Sequence, residues 1–167
     1  MTAILQPAGS LQKRLRPLHL TVFLQGVGFW VPVEKLFMSE IGFDAAGIGL
    51  MAGAYAAVVP LLEVPSGILA DRWSRRGVLV VAGAALALSA LVGGLSHDVP
   101  TYVLSALALG VFFAMSSGTI EAIVYDTVLE ETGDSAEFER QMGRIRMVCS
   151  LALVTSALAG GLLAGVA

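Results

Sequence analysis

Charge is scarce in these 167 residues: 14% are Asp, Glu, Lys or Arg, against roughly 25% in soluble domains. A single cysteine, Cys149, excludes an intramolecular disulfide and a multi-thiolate metal site. The two histidines, His19 and His97, lie far apart. Neither a metal nor a cofactor is expected. Ten basic residues against 13 acidic ones leave a net charge of −3, so there is no basic face for nucleic acid. Neither the H-E-x-x-H pattern of metalloproteases nor the G-x-S-x-G nucleophile elbow occurs, and the acidic residues lack histidine partners. An enzyme is not expected.

What the chain has instead is apolar length, with 56% hydrophobic residues. Five runs approach the about 20 helical residues that cross a ~30 Å hydrocarbon core. They cover about 17–37, 45–70, 77–96, 100–125 and 147–167, the last extended at its start to 135. All are rich in Ala, Leu, Val and Gly without strand-like alternation, which favours helices over a β-barrel. The expected fold is all-α: a polytopic membrane helix bundle of five transmembrane helices in one domain, 1–167, with the lipid bilayer as its first partner.

Three basic clusters set the orientation. Lys13, Arg14 and Arg16 precede the first run; Arg72, Arg75 and Arg76 join the second to the third; Arg140, Arg144 and Arg146 join the fourth to the fifth. Alternating helices put all three on one side, and basic loops stay in the cytoplasm. The N-terminus is therefore expected in the cytoplasm, with the protein multi-pass in the inner (plasma) membrane. The basic start leads into a full-length run with no small-residue cleavage site, as in a retained signal anchor. Asp134 with Glu137 forms a capping box that starts the fifth helix near Ser135. Gly49 with Gly53 and Gly161 with Gly165 have the spacing that lets helices pack closely.

Residues 67–76, GILADRWSRR, make a tight turn between the second and third runs. Asp71 and Arg75 share a face if the helix continues through the turn. An aspartate at a helix C-terminus opposes the dipole, so Asp71 needs a cation or the positive end of another helix. Two carboxylates lie deeper: Glu63 is about 12 Å along the helix from Asp71, and Glu121 about 7.5 Å from Asp126. A charge at such depth costs on the order of 2.5–3.5 kcal/mol, so these residues pair, protonate or face a water cavity. They are candidate substrate or proton sites, together with Tyr125 and Arg144. The alternative is a structural role, bonding to backbone or hydroxyl groups or to an arginine such as Arg144. Gln25, Trp30 and Tyr55 line a cavity or pack between helices.

Gly67, Asp71, Arg72, Ser74, Arg75 and Arg76 resemble the G-x-x-x-D-R-x-G-R-R loop signature of the major facilitator superfamily (MFS), with Ser74 where the family usually has glycine. LLEVPSGILADR and SSGTIEAIVYD, with Glu121, Tyr125 and Asp126, resemble runs of a bacterial drug-efflux-like branch. The resemblance extends from the first run to the last. It implies a secondary transporter that moves a small molecule by alternating access with proton coupling, and a cytoplasmic charge relay of Asp71, Arg75 and Asp126. In SALAGG, Ser156 and Ala157 stand where antiporter members have Gly-Pro, a departure from their pattern. Family members have two six-helix halves, so the chain reads as an N-terminal portion lacking its C-terminal half or assembling with a partner chain. A non-transporting membrane module, structural, regulatory or an inactive fragment, is the alternative.

Overall fold

A computed structural model describes residues 9–28, 31 and 33–164. Its helices are α1 (Gly9–Gly26), α2 (Glu34–Glu40), α3 (Ala45–Arg72), α4 (Arg75–Gly94), α5 (Val99–Thr132) and α6 (Phe138–Ala164). No strand occurs among the described residues. Within them four helices, α3 to α6, are long and apolar enough to cross a bilayer. The expected count of five is corrected at the first run, which is not one rod. Here α1 stops at Gly26 and α2 has only seven residues. The run carries Gly26, Gly28 and Pro32; glycine weakens a helix and proline lacks the donor that a helix interior needs. Trp30 and Gly165 lie outside the described residues.

Residues 33–119 form one compact unit. After α2 the chain turns at Gly42, whose φ of 99° suits only glycine. Asp44 then caps α3, its Oδ1 accepting from the Gly47 N–H at 2.7 Å. Met38, Phe43 and Tyr102 pack together, and the Tyr102 hydroxyl donates to Glu34 at 3.1 Å. At the other end Ala70, Val78, Ala82, Phe112 and Met115 join α3, α4 and α5 in a second cluster. Ser66 ties α3 to α5 between them, its hydroxyl reaching the Ala114 carbonyl at 3.0 Å. Gly110 permits that approach, because a Cβ there would lie 3.2 Å from Val58 Cγ1.

The second unit takes residues 1–32 and 120–167. Along α1, Leu11, Leu15, Leu18 and Val22 are buried at helical spacing, while Lys13, Arg14 and Arg16 stay outside. The polar end of α5 remains helical to Thr132, where Gly133, at φ 69°, donates its N–H to the Leu129 carbonyl at 2.9 Å. The capping box is corrected. Asp134 Oδ1 accepts from Ala136 N–H at 3.2 Å, Glu137 pairs with Arg140 at 3.2 Å, and α6 starts at Phe138. The Glu137 carboxylate finds its cation one turn ahead and does not reach back.

Apolar side chains stand open on every long helix, among them Leu50, Leu61, Val80, Leu88, Leu104 and Leu158. Faces of this kind need a hydrocarbon or protein cover. Added Cβ atoms at Gly49, Gly53 and Gly161 would meet nothing within 4 Å. Among the described glycines, close helix approaches lie instead at Gly26, Gly93 and Gly110.

Candidate functional site

The turn between α3 and α4 is built by its own side chains. Trp73 ends α3, donating its backbone N–H to the Leu69 carbonyl at 2.9 Å. Ser74 then caps α4, its Oγ accepting from the Gly77 N–H at 3.0 Å. The Trp73 ring lies over Gly77, where a Cβ would come within 3.0 Å of it. The helix thus breaks at 73–74 and does not run through the turn.

Asp71 and Arg75 nevertheless meet across the break, Arg75 Nη2 lying 3.8 Å from Asp71 Oδ1. The arrangement runs against the helix dipoles: Asp71 sits in the last turn of α3 and Arg75 and Arg76 in the first turn of α4. Only Arg72, at the end of α3, has the favoured sign there. A partly exposed ion pair at this separation contributes little to stability, ~0–1 kcal/mol.

The remaining candidates divide between the units. Gly67 is exposed on α3, and a Cβ there would meet nothing within 4 Å, leaving an open surface one turn before Asp71. Glu63 is exposed on the same helix. Its carbonyl accepts from Ser66 at 2.9 Å while its carboxylate stays on the surface. In the other unit Glu121 is exposed and Asp126 half-buried on α5. Tyr125 packs edge-on against Phe138 with ring centres 5.6 Å apart. Arg144 donates to Gln141 Oε1 at 3.4 Å. Of the expected relay, Asp71 and Arg75 are brought together in one unit, and Asp126 belongs to the other. Among the described residues no group of three or more His, Cys, Asp or Glu could hold a metal.

Two polar centres escaped the sequence reading. Arg14 bridges Glu131 at 2.8 Å and Glu130 at 2.9 Å, while Ser10 donates to Glu131 at 2.6 Å. Its hydrogen bonds to Glu131 and then to Glu130 hold the Arg14 guanidinium above its ordinary pKa. Adjacent acids at 130–131 and a basic cluster at 13–16, both expected on the cytoplasmic side, were the available signal. The other is Ser156, fully buried on α6, whose Oγ accepts from the Gly28 N–H at 2.9 Å. Its partner is a backbone atom, which no side-chain pattern announces.

Known proteins point to one family. The Major Facilitator Superfamily model matches residues 18–167. Multidrug resistance protein 2 of Bacillus subtilis is 26% identical over 88% of this chain and 36% of its own length. An uncharacterized MFS-type transporter of Methanocaldococcus jannaschii is 26% identical over 74% of the chain and 33% of its own. The nitrite extrusion protein of B. subtilis is 28% identical over 59% of the chain and 25% of its own. The chain thus spans about a third of the length of the curated relatives it matches. No solved structure matches it. With apolar rods, a dipole-opposed charged turn and a family match over nearly all its length, the chain belongs to the major facilitator superfamily.

Proposed function

We propose that this chain is the N-terminal part of a proton-coupled secondary transporter that moves a small cationic molecule by alternating access, in the direction of drug efflux. It works in the plasma membrane with its N-terminus in the cytoplasm, and further helices, on the same or a partner chain, complete the cavity. One observation carries the choice of cargo. Within the apolar lengths of α3 and α5 the charged groups are carboxylates, Glu63 and Glu121, and both stand on open faces. An ionisable group at that depth needs a water-filled cavity or a partner. Carboxylates there favour a cation or a proton over an anion. This favours the multidrug relative over the nitrite relative as a guide. Asp71 and Arg75, with Asp126, act as the latch at the cytoplasmic end; Tyr125 and Arg144 support the Glu121 region.

The test is reconstitution of the native protein in vesicles with an imposed pH gradient, reading ethidium and nitrate fluxes. Ethidium movement should follow the gradient and fall at least about tenfold in Glu121→Gln, the size of losing one interaction with a charged group. Nitrate flux without ethidium flux, or ethidium flux indifferent to the gradient, rejects the reading.

A further inference from the structure

The interruption after α1 is held at a defined place. At Gly26 the helix passes so close to α6 that an added Cβ would lie 2.8 Å from Ala152 Cβ. One turn further along α6, Ser156 reaches the nonhelical backbone. Its hydroxyl donates to the Ala152 carbonyl at 2.7 Å, a bond to its own helix, which leaves the oxygen lone pairs directed outward. There the oxygen accepts the Gly28 N–H at 2.9 Å. The Gly26 carbonyl lies 3.4 Å from the same oxygen. Ser156 and Ala152 are both 0% exposed, so water does not compete for these bonds. A helix that stops inside an apolar run leaves amide groups without ladder partners, and lipid supplies none. The hydroxyl supplies one from a residue 128 positions away.

We infer that Ser156 is a positioning residue: it seats the interrupted end of α1 on α6, so that the two helices move as one piece during the access step. Serine satisfies three conditions at once. It is small enough for the Gly26 crossing, its donor is spent within α6, and its acceptor faces the Gly28 amide. Alanine keeps the size and loses the acceptor. Threonine keeps the acceptor.

The first measurement is hydrogen exchange of the native protein in lipid nanodiscs. In Ser156→Ala the amides at Val27 and Gly28 should exchange about tenfold faster or more, the scale of one lost hydrogen bond. Those of α6 away from residue 156 should keep their rates, and Ser156→Thr should restore the slow exchange. Equal exchange at Gly28 in wild type and Ser156→Ala overturns the proposal. Should Ser156→Ala fail to fold, the crossing is tested by size exchange. Gly26→Ala should lower the yield of folded protein, and adding Ala152→Gly should recover it; no recovery also overturns the proposal.

The consequence for turnover rests on the transport reading above. In vesicles Ser156→Ala should lower kcat about threefold or more and leave KM within about twofold, because the side chain acts through α1 and not on cargo. A raised KM with kcat unchanged overturns the positioning role. A wild type that moves no ethidium removes the transport reading, and the exchange and size measurements still decide whether Ser156 is a staple.

Discussion

Ser74 shows how a departure from a family pattern becomes intelligible once its contacts are known. The family usually places glycine here, and this chain uses the serine oxygen to cap α4 through Gly77 N–H. Serine and glycine are both acceptable caps, whereas alanine is not. Ser74→Gly should therefore cost only a few tenths of a kcal/mol, and Ser74→Ala about 1 kcal/mol, in reversible unfolding in detergent. Asp98 plays the corresponding part at the start of α5, accepting the Thr101 N–H at 2.8 Å. That backbone bond holds its carboxyl below the ordinary value of 3.8. A lowered folded pKa gives stability that is present above the unfolded carboxylate range and fades as pH falls through the folded value. In thermal melts below about pH 4, wild type should lose stability that Asp98→Asn never had, so the gap between them narrows.

Helices as units follow a different logic from single side chains. The apolar runs for α3 and α4 were legible because length and composition alone decide whether a segment can cross lipid. The break in the first run was not, because hydropathy counts Gly26 and Gly28 as apolar while backbone freedom makes them poor helix residues. The polar end of α5 was missed for the opposite reason. Residues 126–132 are too polar for lipid, but nothing in DTVLEET forbids a helix before Gly133. Ser66 and Ser156 bond backbone carbonyls or amides across long separations, and such pairings leave no sequence spacing to read. The Arg14 clamp belongs here as well, since it fixes the start of α1 to the end of α5. Arg14→Ala should raise the exchange rate of amides 10–16 severalfold. High salt should bring wild type toward the mutant, because the Debye length falls from about 30 Å at 0.01 M to 3 Å at 1 M. Salt-independent exchange in wild type would show the clamp to be idle.

For the molecule entire, sidedness and cycling are the properties to measure. Trp73 is 59% exposed in the charged turn. A Trp73→Cys variant on a Cys149→Ala background should resist an impermeant thiol reagent added outside intact cells and react in inside-out vesicles. Labelling from outside would invert the proposed orientation. On the latch reading, Asp71→Asn should slow turnover severalfold while leaving ethidium binding within about twofold, since Asp71 lies about 12 Å along α3 from Glu63 and its pair with Arg75 is worth little as a static bond. Unchanged turnover would remove the latch role. Family membership and the helical character of the fold were legible from the charged turn and the apolar runs. The partition of charge between Arg14, Glu130 and Glu131 was not, because it depends on which helix ends lie side by side.

One dimension of α5 has a mechanical corollary. At 34 residues it is about 51 Å long, and some 20 Å of it overshoots a ~30 Å hydrocarbon slab. Glu130 and Glu131 ride near that end with Arg14 in their grip, so the leading turns of α1 are tethered to a stretch of helix that lipid alone would not hold.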